Sequence, residues 1–219
     1  MDCILNINKP VGWTSFDVVS WLKHRRRNVK IGHAGTLDPF ANGVLLLLVG
    51  EATKRTAEFV NLEKEYIAAV ALGIETDTLD VTGKITAEQK IGQISAYHLE
   101  DTRKNFLGYI MQKPSAFSAV KIGGQRAYRF ARKNEPVELK ARRIFISRLD
   151  MNLVDDNELF LTVTCSKGTY IRTLAYDIAR ALGTVGFVRS LTRTRIGDFT
   201  LDSSKSMNDL ETNLDQLLF

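Results

Sequence analysis

Cysteine is nearly absent from this chain, which has two among 219 residues, Cys3 and Cys165, far apart in sequence. That scarcity excludes a disulfide framework or a zinc knuckle, and with three histidines no metal-ligand spacing appears, so no structural metal is expected. No apolar run reaches the ~18 residues needed to cross a bilayer. The opening Met1-Asp2-Cys3-Ile4-Leu5-Asn6 lacks the basic region and apolar core of a signal peptide, so a cytoplasmic protein without membrane contact is expected. Also missing are the Gly-x-x-x-x-Gly-Lys-Ser/Thr phosphate loop, the Gly-x-Gly-x-x-Gly dinucleotide turn and the Gly-x-Ser-x-Gly nucleophile elbow. Chemistry without a cofactor is therefore expected.

What is present is an ordinary globular composition, 44% hydrophobic and 25% charged, enough for one large domain with or without a small appendage. The net charge of +5 is modest, but its cations cluster. Lys23-His24-Arg25-Arg26-Arg27 with Lys30 forms one group, Lys140 with Arg142-Arg143 a second, and Arg189, Arg193 and Arg195 a third. Clustered cations suit a polyphosphate backbone, although each group alone could equally be a solvated face.

Periodicity predicts strands over Cys3–Asn8, Val44–Val49, Glu65–Ile74, Arg143–Leu153 and Glu158–Cys165, with alternating character from Val185 to Phe199. Helices are expected from a Ser15 cap, with Phe16, Val19 and Leu22 at helical spacing, and over 51–61, 95–107, 126–132 and 170–182. Met207 to Phe219 reads as a docking helix. Many strands with few helices imply an α+β fold built on a mixed, largely antiparallel sheet with flanking helices.

The most informative stretch is Gly32-His33-Ala34-Gly35-Thr36-Leu37-Asp38-Pro39-Phe40-Ala41-Asn42-Gly43, read as a short loop carrying one carboxylate and one imidazole. Its glycines allow close approaches, Pro39 biases Asp38 toward an extended backbone, and the buried strand behind would aim the side chain. An isolated Asp-Pro more often just initiates a turn, but the flanking His33 and glycines favour a site. A carboxylate is ionised at neutral pH and can act as a nucleophile toward a sugar carbon or an electron-poor ring once a cation orients it, and Arg172 is one candidate. Asp77 and Asp80 lie in a second acidic loop. Tyr66, by its own character, is an interfacial strand aromatic.

The blocks Lys9-Pro10-x-Gly12-x-x-Ser15, Gly32-His33-Ala34-Gly35-Thr36-Leu37-Asp38-Pro39, Gly50-Glu51-Ala52-Thr53-Lys54, Lys64-Glu65-Tyr66, Thr76-Asp77-x-x-Asp80, Ser118-Ala119-x-Lys121 and Ser166-Lys167-Gly168-Thr169-Tyr170-Ile171-Arg172 occur in a fixed order. In that order the chain resembles the TruB-type tRNA pseudouridine synthases over roughly residues 4 to 199. The resemblance implies the pseudouridine synthase catalytic fold, isomerisation of a uridine in the loop of the tRNA T-arm, and no cofactor. It makes Asp38 the catalytic aspartate, attacking either the anomeric carbon or the uracil ring. Tyr66 matches the tyrosine that stacks on the target base, and Arg172 the arginine paired with the aspartate. His33 matches a histidine near the space the base vacates, Asp80 a contact to the displaced uridine, and Leu191 an apolar residue on its ring. Lys9, Lys121 and Tyr170 fall in motifs expected to bind the substrate.

Pro114-Ser115-Ala116-Phe117 departs from the family's two adjacent prolines and a tyrosine. Relatives commonly continue into a small C-terminal RNA-binding module of the PUA type, whereas little follows Phe199. The expected organisation is a catalytic domain over 1–200 and a short segment over 201–219, in a monomer whose partner is tRNA and no other protein. An RNA-binding module with a vestigial site, and a carboxylate-based nucleoside or glycoside hydrolase, are the alternatives.

Overall fold

The computed structural model describes residues 2–115, 117–118, 121–127, 130, 133, 135 and 139–217, which divide into two compact units. The first comprises Met1–Ile67 and Ser190–Phe219, the second Ala68–Arg189. The residues expected to form one catalytic domain fall in both units, and segment 201–219 packs in the first.

In the first unit, β3 (Asn42–Val49) is central. Along one edge it pairs antiparallel with β1 (Cys3–Lys9), from Cys3 opposite Val49 to Lys9 opposite Gly43. Along its other edge it meets β2 (Ile31–Ala34) antiparallel and the later part of β12 (Gly186–Ile196) parallel, with Arg193 opposite Gly43. Its continuous apolar run follows from having both faces covered. Leu45, Leu47 and Val49 pack with Leu5, Ile7, Ile31, Val18, Val19 and Leu22 of α1 (Ser15–Arg25), and Leu210 of the C-terminal helix Met207–Leu217. Val44, Leu46 and Leu48 pack with Ala34, Ala52, Phe59 and Ile196. The docking helix expected over 207–219 forms over Met207–Leu217.

Helix α1 corrects the reading of its start. Thr14, not Ser15, is the N-cap: its hydroxyl accepts from Asp17 N–H at 3.0 Å while the Asp17 carboxylate accepts from Thr14 N–H at 2.7 Å. The helix consequently buries Ser15, Val18, Val19 and Leu22 and leaves Phe16 in solvent. A 3-10 helix, Gly50–Arg55, and α2 (Thr56–Asn61) replace the single helix expected over 51–61. The buried Lys64 ammonium then caps the end of α2, donating to the carbonyls of Val60 at 2.6 Å and Leu62 at 2.5 Å. Strand β4 (Lys64–Leu72) begins at this residue.

In the second unit the 14-residue β10 (Arg142–Asp155) pairs antiparallel with β7 (Gly108–Gln112) and with β11 (Glu158–Cys165). A short ribbon, β5 (Ile74–Thr76) and β6 (Ile85–Glu88), flanks the acidic loop. The helices are α3 (Ala96–Asn105), capped by Ser95, and α4 (Ile171–Ala181). The pair β8 (Lys121–Ile122) and β9 (Gln125–Arg126) turns through Gly123 and Gly124, both at positive φ as a two-residue hairpin requires. The helix expected over 126–132 lies mostly outside the described residues. The fold is the expected α+β type: β3 and β12 pair parallel, and the pairings of β1, β2, β7, β10, β11 and β13 (Phe199–Thr200) described among these residues are antiparallel. Among the described residues no helix is long and apolar enough to cross a membrane.

Candidate active site

In the first unit, Asp38 sits on the seven-residue connection between β2 and β3, and three buried polar side chains hold that connection. Ser15 Oγ accepts from Leu37 N–H at 2.9 Å and lies 3.3 Å from Leu37 O, where it donates. The Arg193 guanidinium donates to Val44 O at 2.7 Å, Gly35 O at 3.1 Å and Thr36 O at 3.4 Å. Lys9 Nζ donates to Trp13 O at 2.6 Å, Pro10 O at 2.8 Å and Pro39 O at 3.5 Å. Gly12 N–H also reaches Pro39 O at 2.8 Å, and Ala41 N–H closes a turn onto Asp38 O at 3.1 Å. The residues before and after Asp38 are thus fixed by buried donors, which leaves the half-buried carboxylate little backbone freedom.

Two of these braces escaped the sequence reading. Ser15 read as a helix cap, and the Thr14-x-x-Asp17 capping box was the signal that should have released it for another role. Arg193 read as one of a cluster of RNA-facing cations. It is instead buried, while Arg195 pairs with Glu63 at 3.1 Å and Arg189 with Glu158. Of that third basic cluster, Arg193 is therefore committed to the interior, while Arg189 and Arg195 each carry an intramolecular ion pair. Lys9, expected on the substrate, is likewise corrected: its 0% exposure commits the ammonium to backbone carbonyls. Burial pulls the Lys9 pKa down from 10.5 to about 8, opposed by the nearby Asp38 carboxylate and reinforced by Arg193.

His33 lies on β2 opposite Leu47, so the glycine-rich stretch read as one loop opens with a strand. Tyr66 is the third residue of β4 and half-buried. The strand around it is tied to β12 by Thr194 Oγ1 donating to Glu65 at 2.8 Å and by the Arg195–Glu63 pair. Leu191 is buried on β12.

In the second unit Asp80 and Arg172 are both buried and form an ion pair at 3.2 Å. The other carboxylate oxygen of Asp80 accepts from Thr82 Oγ1 at 2.6 Å, Thr78 Oγ1 at 2.8 Å and Thr82 N–H at 2.9 Å. Arg172, on the first turn of α4, also donates to Thr78 O at 2.6 Å and Phe117 O at 2.9 Å. It therefore stitches the acidic loop to the segment that departs from the family's proline pair. Leu79 takes φ +61°, a costly value for a branched residue, and is held there by Val188 N–H donating to its carbonyl at 3.0 Å. Tyr170 is the N-cap of α4, and the Gln112 side chain grips its backbone on both sides, donating to Tyr170 O at 3.0 Å and accepting from Tyr170 N–H at 2.8 Å. Arg142 lies 4.8 Å above the Tyr170 ring. Lys121 is on β8, in register with Arg126. Among the described residues no three His, Cys, Asp or Glu side chains gather as a metal-binding group.

The α+β sheet, the braced aspartate turn and the arginine-led helix together carry the catalytic fold of the pseudouridine synthases. Residues 23–171 match the TruB family pseudouridylate synthase N-terminal domain and residues 172–217 the tRNA pseudouridylate synthase B C-terminal domain, so the chain belongs to the TruB family. The tRNA pseudouridine synthase B of Parabacteroides distasonis is 44% identical, covering 97% of this chain and 93% of that protein. Its namesake from Bacteroides thetaiotaomicron is 46% identical over 91% of this chain and 87% of its own length. Among solved structures, a chain of a Cbf5-Nop10-Gar1 complex superposes with a TM-score of 0.74 at 28% identity over 96% of this chain. A chain of an H/ACA RNP bound to a substrate RNA containing 2'-deoxyuridine gives 0.71 at 25% identity, again over 96%. This chain spans about half the length of those two.

Proposed function

We propose that this protein isomerises a uridine of tRNA to pseudouridine, the uridine lying in the T-arm loop, with Asp38 as the nucleophile. The observation that carries the reading is the Asp38 turn, whose flanking residues are held by Ser15, Arg193 and Lys9; pure RNA binding requires no carboxylate fixed in this way. Family membership and the two tRNA pseudouridine synthase B relatives support the reaction and its substrate.

A uridine in a folded loop cannot offer its anomeric carbon or ring edge to a carboxylate until it is swung out of the stack, at a cost of a few kcal/mol. Stacking on Tyr66, worth ~1–3 kcal/mol per base, and contacts from the exposed cations Lys23, Arg25, Arg27 and Lys30 offset that cost. Asp38 then attacks the ribose or the ring, and the bond between the anomeric carbon and N1 breaks. The uracil turns, its C5 bonds to the anomeric carbon, the bond to Asp38 breaks and returns the free carboxylate, the C5 proton leaves to water and N1 regains a proton. No co-reactant is consumed, so no cofactor is required. The family resemblance assigns Arg172 to steadying negative charge, His33 to the space the base leaves, and Asp80, Tyr170, Leu191 and Lys121 to contacts with the displaced nucleotide. The protein works as a monomer in the cytoplasm, with residues 1–200 as its catalytic domain and 201–219 as a C-terminal segment.

Purified protein is expected to release tritium from a tRNA transcript labelled at uridine C5, and Asp38→Asn to release none. Full turnover by that variant would remove Asp38 as the nucleophile. Free uracil as the product would convert the reading to a hydrolase.

A further inference from the structure

Strands β7 and β10 of the second unit carry an exposed aromatic and cationic strip that none of the motif residues uses. Tyr109 stands opposite Phe145 in the antiparallel register, and Met111 opposite Arg143. These four side chains share one face of the strand pair, because Ile144 and Ile146, which alternate with them, are buried on the other. The Tyr109 and Phe145 rings lie 4.7 Å apart, and the Arg143 guanidinium carbon sits 3.7 Å above Tyr109. Tyr109 is 64% and Met111 65% exposed. A guanidinium plane, a phenol, a benzyl ring and a thioether in one solvent-facing strip is an apolar patch that water does not favour.

The charge around the strip selects its occupant. The two paired stretches that make the strip, 108–112 and 142–146, contain no Asp or Glu. The exposed Lys113 and Lys140 follow and precede these two strands, and Arg143 belongs to the strip itself. A stacking platform with cations beside it fits a nucleic-acid strand, with its phosphates on the cations and an unstacked base on the rings. The platform also leads toward the motif residues: Gln112, which grips Tyr170, is three strand residues from Tyr109, about 10 Å along β7.

We propose that Tyr109, Phe145 and Arg143 form an accessory RNA-binding platform that stacks an unpaired nucleotide of the substrate RNA outside the target uridine. The proposal rests on the reading of this protein as an RNA isomerase. The platform adds affinity and choice of RNA, and the bond-breaking steps do not depend on it.

The test compares wild type with Tyr109→Ala/Phe145→Ala, Arg143→Ala and the conservative Tyr109→Phe. A full-length tRNA transcript and its isolated T-arm stem-loop are the substrates. For the double variant we expect a KM on full-length tRNA raised about ten-fold, with kcat and the isolated stem-loop kinetics unchanged. Arg143→Ala should lower the slope of log affinity against log salt by about one, and Tyr109→Phe should behave as wild type. Equal KM values for wild type and the double variant on full-length tRNA would overturn the platform. So would a dimer of wild type that the double variant dissolves, since the face would then belong to a second copy. If wild type itself fails to modify either RNA, the failure lies with the isomerase reading.

Discussion

Gly43 and Arg193 lie directly opposite each other across the parallel pairing of β3 and β12, so close that a Cβ added at Gly43 would stand 2.3 Å from the Arg193 carbonyl oxygen and 2.8 Å from its nitrogen. Gly43 also holds φ at +108°, a value side chains resist. An alanine there cannot be accommodated by rotating a flexible group, because the obstacle is backbone. The strands must part exactly where β12 delivers Arg193 beneath the Asp38 turn. Gly43→Ala is expected to cost about 3 kcal/mol or more, lowering the melting temperature by roughly 6–12 °C in calorimetry, and to remove most activity.

Arg193 supplies three donors in a planar fork to carbonyls that bracket the turn at residues 35, 36 and 44. Lysine keeps the charge but converges its donors on one point, so it cannot reach all three. Arg193→Lys should therefore fold, with a melting temperature within a few degrees of wild type, yet lose at least about ten-fold in kcat because Asp38 is no longer fixed. Arg193→Met strands buried carbonyls at about 1–3 kcal/mol each, and should be clearly less stable than the lysine variant. A lysine variant with wild-type kcat would show that the fork does not position the turn.

The division between what the sequence revealed and what it hid follows the physics of burial. The apolar run Val44–Val49, the strands at 143–153 and 158–165, and the turn at Asp38-Pro39 are written in local patterns that read directly. Local patterns carry no information about which polar side chain is enclosed by residues distant in sequence. Arg193 reaches carbonyls about 150 residues away, and nothing in Arg189-Ser190-Leu191-Thr192-Arg193 distinguishes the buried arginine from its surface neighbour. Lys9 was misread for the same reason. Ser15 was misread for a different one, since a hydroxyl beside a helix start satisfies a capping pattern that its neighbour Thr14 already fills.

Asp80 and Arg172 are joined in a place where neither charge meets solvent. Truncating one member of such a pair leaves a buried charge without its counterpart, a loss of about 3–5 kcal/mol. Asp80→Ala also deprives Thr78 and Thr82 of their shared acceptor, so the acidic loop should loosen as well. Asp80→Asn retains an oxygen for those donors but loses the charge and turns an amide NH2 toward Arg172, and should fall between alanine and wild type in urea unfolding. Amide exchange at Thr82, whose N–H is held by the carboxylate, should quicken markedly in the alanine variant and little in the asparagine variant.

Lys9 links pH to the Asp38 turn. Its folded pKa near 8 lies below the ordinary lysine value of 10.5, chiefly because burial penalises the charged form. Below about pH 8 the ammonium has three N–H donors for the carbonyls of Pro10, Trp13 and Pro39; above it the neutral amine has two, and the positive charge near Asp38 is gone. The kcat of the wild-type protein should thus fall on an alkaline limb centred near pH 8. Stability moves the other way. Between pH 8 and 10.5 the unfolded chain holds a proton that the native chain has released, so this group's contribution to unfolding free energy rises with pH across that window. Lys9→Met removes the titrating group, and should give lower activity with a flat profile from pH 7 to 9 and no rise in stability from this source. An alkaline limb that persists near pH 8 in that variant would assign the titration to another residue.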